Sequence, residues 1–459
     1  MLNDRLESLP GYPFARLRRL LEGVNPPAGV APVMMSIGEP QHPPPALLTE
    51  VLHARAADWG KYPPLRGTPE FRRAVADWLT RRYHLPGDFI DAERNLLPVS
   101  GTREAIFMFA QVAVGRQNDD RAVRQRSYGH STGGREKRRG EPLVLVPNPL
   151  YHVYAGAGIM AGAQPMFLPA TKATGFLPDF AAVPADVWPR VALVYLCTPA
   201  NPQGAIASLD MLVDLIRRAI EHDFIVAFDE CYSEIYDEAA PPAGGGPLSF
   251  SLAALHKGAP TGALEACATM GADAQPALDH VVVFNSLSKR SNCAGLRSGF
   301  VAGGAKLIAA FARLREFASC ATPLPAIHAA TELWRDEDHV TANRARYRGK
   351  LDIADRAFGE ADTAIGNRLG YYRPPGGFFL WLDVSSAPRS GESPKGLGAG
   401  EAACQRLWQE AAIRVLPGAY LCPEHDPAPG DSYIRVALVQ DEEVLRAALS
   451  RMADVLAQR

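Results

Sequence analysis

A lysine delivered by a buried strand is the first residue in this sequence that could do chemistry. The apolar run Val281-Val282-Val283-Phe284 reads as a short interior strand. It leads directly into Ser286-Leu287-Ser288-Lys289-Arg290-Ser291-Asn292. An amine at the end of such a strand is costly unless it is paired or used. In that place it sheds its proton more readily and attacks carbonyl carbons. Arg297 follows eight positions after Lys289. Taken alone, a lysine in a polar loop is an exposed lysine, so the case for Lys289 rests on the rest of the chain.

Further motifs follow other short apolar runs. Ser100-Gly101-Thr102-Arg103 opens a helix after the run at 95–99. A glycine permits close backbone approach there, and free N–H groups at a helix start bind anions, although a simple N-cap has the same composition. Pro147-Asn148-Pro149-Leu150-Tyr151 stiffens a loop and presents an aromatic ring, which could cover a flat ligand or merely pack. Thr198-Pro199-Ala200-Asn201-Pro202 holds an amide between prolines, as a plain turn also would. Phe224-Ile225-Val226-Ala227-Phe228 ends in Asp229-Glu230-Cys231-Tyr232, where a carboxylate at a buried strand end needs a charged or donor partner. Tyr433-Ile434-Arg435-Val436-Ala437 sets an arginine inside an apolar strand. Its planar fork suits a carboxylate, from a ligand or from an internal salt bridge.

The elements that must position these groups alternate. Short strands are predicted near 95–99, 143–147, 164–168, 192–197, 224–229, 281–285 and 298–302. Helices are predicted at 102–114, 151–162, 209–222 and 248–257. This is the pattern of an α/β fold with a mainly parallel seven-stranded sheet covered on both faces. Ligands of such sheets sit beyond the carboxyl ends of the strands, where most of the motifs fall. From about 304 the pattern changes to long helices at 304–319 and 325–358, then short strands at 371–373, 378–383 and 433–437 around a helix at 400–412, a smaller α+β unit. The expected division is an N-terminal segment, 1–45, packing with the small domain, a large domain at 46–303 and a small domain at 304–459. Residues 116–141 carry eight Lys/Arg and almost nothing apolar, which reads as a solvated loop.

Composition narrows the function. The 459 residues carry 48 Lys/Arg against 50 Asp/Glu, a net charge of −2, so nothing pulls the chain as a whole toward nucleic acid or membrane. Seven dispersed cysteines show no metal-like spacing and favour reduced thiols. With no signal-like or bilayer-length apolar stretch, the expected location is cytoplasmic.

Together the motifs supply a phosphate cradle, an aromatic cover, a carboxylate, a lysine and an arginine. That is the set pyridoxal 5′-phosphate (PLP) requires: a Schiff-base lysine, an acid facing the pyridine nitrogen and anion-binding groups for the phosphate. In order and combination, Ser36-Ile37-Gly38-Glu39-Pro40, Tyr62-Pro63, Ser100-Gly101-Thr102, Tyr151, Asn201-Pro202, Asp229–Tyr232, Ser286–Lys289, Arg297 and Arg435 resemble the class I/II aminotransferases, fold type I PLP enzymes, over nearly the whole chain. Within that family, Ser286–Asn292, Asp229–Tyr236 and Ile37–Pro43 look like the bacterial N-succinyldiaminopimelate aminotransferases of lysine biosynthesis.

The resemblance implies roles. Lys289 would carry the cofactor and move the proton. Asp229 would keep the ring nitrogen protonated. Tyr232 and Asn201 would bind the ring oxygen, and Tyr151 would stack on the ring. Gly101, Thr102, Arg103, Ser286, Ser288 and Arg297 would hold the phosphate, joined by Tyr62 from a neighbouring subunit, which implies a homodimer. Arg435, with Gly38 and Asn201, would grip the substrate carboxylate. Substrates would be an amino acid and a 2-oxo acid: glutamate/2-oxoglutarate and the N-succinylated diaminopimelate pair. Arg66, Arg103 and Arg290 are charge-matched to the succinyl arm. Another amino-acid aminotransferase (aspartate, alanine or aromatic type), a PLP-dependent carbon–sulfur β-lyase and a sensor domain of a transcription regulator remain alternatives. The last is disfavoured because Gly38 comes too early for a preceding DNA-binding domain.

Overall fold

The computed structural model describes residues 2–83, 85, 89–115, 140–237, 276–318, 321–360, 369–387 and 396–457. The expected helix at 248–257 and nearly all of the basic stretch at 116–141 lie outside them. The first strand, β1 (Val33–Met34), is followed by the seven strands of one mixed sheet. These are β2 (Leu96–Val99), β3 (Leu143–Asn148), β4 (Gln164–Pro169), β5 (Val191–Cys197), β6 (Ile225–Asp229), β7 (Val281–Ser286) and β8 (Gly299–Gly303), in the spatial order β2-β8-β7-β6-β5-β3-β4. Every residue of β5, β6 and β7 is buried, because helices cover both faces.

Only β8 runs against its neighbours, pairing antiparallel with both β2 and β7. Its first residue, Gly299, lies opposite both Val99 and Ser286, the last residues of β2 and β7. A residue just before β8 therefore reaches the same edge as residues just after the parallel strands. Arg297 arrives at the site by this reversal.

The later strands are β9 (Phe379–Asp383), β10 (Ile413–Arg414), β11 (Leu416–Pro417) and β12 (Tyr433–Ala437). β12 is the centre of a three-stranded antiparallel sheet between β11 and β9, while β10 pairs parallel with β1. A core of its own, from Leu351 to Leu456, takes in Val33 and Met35. The helix Pro13–Leu20 lays Leu17 against Trp381, Leu416 and Tyr420, and Trp408 Nε1 donates to the Val24 carbonyl at 2.9 Å. N-terminal residues thus pack on C-terminal elements.

The change of core does not fall at the expected 303/304 boundary. The helices Ala305–Ala318 and Leu324–Arg335 bury Ile308, Phe311, Leu333 and Trp334 in the cores of the large sheet. We place the division instead within the helix Asp338–Asp355, whose C-terminal half enters the second core. The expected helix 325–358 is interrupted at Asp336-Glu337, where Asp336 Oδ1 accepts from the Asp338 N–H at 3.1 Å. The expected strand 371–373 is not a strand. Tyr371 points its hydroxyl at Asp355, while Tyr372 and Arg373 reach the Gln203 carbonyl and Asp237, joining the two cores through side chains rather than a ladder.

Candidate active site

A cleft of about 650 Å³ opens where the carboxyl ends of the large sheet meet β12. Every residue expected to bind the cofactor or the α-carboxylate lines it except Gly101 and Tyr62. Gly101 stands just behind the lining. Tyr62 is fully exposed, at 101%, and takes no part in the cleft of its own chain.

Lys289 lies in a single helical turn, Leu287–Arg290, started by Ser286, whose Oγ accepts from the Ser288 N–H at 3.3 Å. Its Nζ donates to the Gly38 carbonyl and faces the Phe378 ring. Burial, with Arg435 and Arg297 nearby, outweighs Cys231 and Glu39 and lowers the amine from its ordinary value to about 8. Gly38 must be glycine for this approach, since a Cβ there would meet Phe379 Cζ at 2.5 Å.

Asp229 ends β6 at 6% exposure. Its Oδ2 accepts from Tyr154 Oη at 2.8 Å and its Oδ1 from the Cys231 N–H at 3.3 Å. Burial pushes its carboxyl up despite those donors, so the charged form needs a cation facing it. Tyr154 escaped the sequence reading. It falls three residues after Tyr151 in an apolar helix, where a tyrosine reads as core, and it does stack on Tyr195 with centroids 4.8 Å apart. Cys231, which touches Thr102 Oγ1 at 2.9 Å, and His152, an imidazole held neutral by burial with a value lowered to about 4, complete this wall.

The adjoining end of the cleft is cationic. Gly101 has φ +86°, and a Cβ on it would lie 2.2 Å from Arg297 NH2. The glycine lets that guanidinium lie flat against the start of the helix Thr102–Ala113, where it donates to the Ser100 carbonyl at 3.2 Å. Free N–H groups of the helix start, the Ser286 and Ser288 hydroxyls and Arg297 thus converge on one end of the cleft.

Arg435 lies in β12 at 5% exposure, over the Phe379 ring at 4.5 Å. It donates to Asn201 Oδ1 at 3.0 Å and the Ser36 carbonyl at 2.8 Å, while its Nε has no partner among the described residues. Burial lowers it to about 10. Of the three arginines matched by charge to a distal arm, two are elsewhere. Arg66 donates to the Glu93 carbonyl on the surface, and Arg290 is buried beside Trp78 and Trp334 with Glu337 at 2.7 Å. Arg103 alone lines the cleft, its Nε donating to Tyr151 Oη at 2.6 Å.

A strand-end lysine, a buried acid and an anion cradle at one edge of a mainly parallel sheet are the marks of a fold type I PLP site, and the chain belongs to the class I and II aminotransferases, whose family profile matches residues 32–452. Members of that family use PLP, and the residues here fit it: the cradle suits a phosphate, and the buried carboxylate of Asp229, its charged form disfavoured by burial, lines the same cleft. The chain is similar to the LL-diaminopimelate aminotransferases of Syntrophobacter fumaroxidans, 30% identical, and Moorella thermoacetica, 29% identical, each over 98% of this chain and 97% of the relative. Among solved structures it resembles an aminotransferase from Neisseria meningitidis, with a TM-score of 0.78, 34% identity and 99% and 100% of the two chains covered. Aspartate aminotransferase of Thermus thermophilus, at 23% identity and TM-score 0.73, covers 99% of this chain and shows the same fold. Among the described residues, no helix is long and apolar enough to cross a membrane.

Proposed function

We propose that this aminotransferase moves an amino group between glutamate and the 2-oxo acid N-succinyl-2-amino-6-oxopimelate, in lysine biosynthesis. The observation that carries the chemistry is the meeting of Lys289, Asp229 and Arg435 in one cleft. The motifs Ile37–Pro43, Asp229–Tyr236 and Ser286–Asn292 support the succinylated substrate. A second reading, free LL-diaminopimelate as substrate, is favoured by the names of the relatives. Both place a diaminopimelate skeleton in the cleft.

Each residue then has a task. Arg435, preset by Asn201 and Ser36, binds the α-carboxylate through charge-assisted hydrogen bonds and orients the Cα–H bond toward Lys289. Lys289, with a value near 8, offers a usable neutral fraction at neutral pH, so Nζ can take the Cα proton and return it. PLP, when bound, supplies the electron-accepting ring that makes this proton removable. Asp229, held by Tyr154, would face the ring nitrogen. Thr102, Ser286, Ser288 and Arg297 would hold the phosphate, and Tyr151 and Tyr232 would line the ring. Tyr62, with Trp59 and Leu65 exposed beside it, would meet the phosphate of a second copy in a homodimer. Arg103 reads a distal carboxylate of the substrate.

Glutamate formation measured over N-succinyl-LL-diaminopimelate, LL-diaminopimelate, aspartate and alanine tests the assignment. We expect the succinylated amine to give the highest kcat/KM. Preference for the free diamine moves the substrate to the second reading, and preference for alanine or aspartate removes both. Release of pyruvate and ammonia from cystathionine, without a 2-oxo acid acceptor, would identify a lyase instead.

A further inference from the structure

The turn that carries Lys289 is clasped at four consecutive residues by one stretch of another element. Asn343 Nδ2 donates to the carbonyls of Lys289 and Arg290, each at 3.0 Å, two of the carbonyls a helical turn leaves open at its end. Asn343 Oδ1 accepts from Asn292 Nδ2 at 2.9 Å, which fixes Asn292 at φ +52°. Ser291 Oγ meets His339 Nε2 at 2.7 Å, and His339 Nδ1 meets Asp336 Oδ2 at 2.6 Å. The Arg290 guanidinium is taken by Glu337 and the Leu333 carbonyl, both at 2.7 Å. His339 and Asn343, four apart, share one face at the start of the helix Asp338–Asp355, and Asp336 lies in the break just before it. The same face continues to Tyr347, whose ring stacks at 5.0 Å on Phe378, the ring that Lys289 Nζ faces.

We infer that this helix face, through Asn343 and the His339–Ser291 pair, positions the catalytic lysine from behind. The inference rests on reading Lys289 as the catalytic amine. Asp336, His339 and Ser291 have the hydrogen-bond order of a hydrolase triad, but Ser291 is 1% exposed, which keeps its hydroxyl from a substrate. Their hydroxyl and imidazole are used to hold backbone in place. The helix straddles the change of core, so the lysine is registered against the element that joins the two halves of the molecule.

The test is kinetics of the PLP-loaded full chain carrying Asn343→Asp, which keeps the size but loses the N–H donors, with Asn343→Ala and Ser291→Ala alongside. A misplacement of the amine by about 1 Å lowers kcat by on the order of 10²-fold. We expect kcat to fall in that range for Asn343→Asp, with KM for glutamate within about twofold and PLP content unchanged, and a smaller fall for Ser291→Ala. Unchanged kcat in Asn343→Asp overturns the inference, as does a fall that merely tracks lost PLP. Labelling of Ser291 by a fluorophosphonate also overturns it, in favour of a reactive serine. Failure of the underlying reading shows separately, as Lys289→Ala retaining activity.

Discussion

Arg435 and Arg103 face the same cleft from opposite surroundings. Arg435 is buried in a strand, held by two acceptors and lowered by its burial to about 10. Arg103 is exposed at a helix start and tied to the cleft by one phenol, Tyr151. On the proposed function, the deep arginine has little freedom and would meet what every amino-acid substrate shares, the α-carboxylate. The outer one can adjust, and would meet the part by which substrates differ. Rigidity thus follows the shared chemistry, with Lys289 and Asp229 at the fixed end and Arg103 at the variable end.

The comparison can be broken at either end. Lys289→Ala should have the largest effect, removing the proton carrier and lowering kcat by at least the ~10²–10⁴-fold expected of a general acid–base group. Arg435→Gln should raise KM for every amino acid tested. The loss of charge-assisted hydrogen bonds, about 1.5–3 kcal/mol each, corresponds to roughly 10- to 150-fold. Tyr154→Phe removes one donor to Asp229, and kcat should drop about tenfold with KM unchanged, from the same magnitude for a hydrogen bond to a charged group. Arg103→Gln should have the smallest and most selective effect, raising KM several-fold for substrates with a distal carboxylate and leaving alanine untouched. If Arg103→Gln weakened all substrates equally, the division between fixed and variable ends would fail.

Acidity sharpens the same contrast. The Lys289 amine is lowered to about 8 by burial, so below that pH it is an ammonium bound to the Gly38 carbonyl and above it a free nucleophile. The rate at which apoenzyme takes up PLP should rise with pH and level off above about 8. A rate still climbing toward the ordinary lysine value near 10.5 would mean that the amine is not desolvated.

Much of this site was legible because most of its motifs end an apolar run, and parallel strands bring their ends to one edge. Asp229, Lys289 and Thr102 are read in that way. What could not be read are partners with no local signal. Tyr154 sits among alanines and glycines of a buried helix, and Asn343 and His339 sit on a helix far along the chain, where Asn and His read as surface residues. Charge alone misled at Arg66 and Arg290, because a sequence does not show that Glu93 and Glu337 stand beside them. Residues 371–373 have strand-forming side chains, yet Tyr372 and Arg373 serve as ties between the two cores. The change of core falls later than the expected boundary for a related reason: the helices after β8 are long like those of the second unit, but their apolar faces match the large sheet.

The most direct test is borohydride reduction of the protein with PLP, followed by peptide mass spectrometry. A phosphopyridoxyl group on Lys289, absent from the Lys289→Ala protein, is the predicted result. No PLP uptake, or a tag on any other lysine, would contradict the placement of the chemistry at the end of β7.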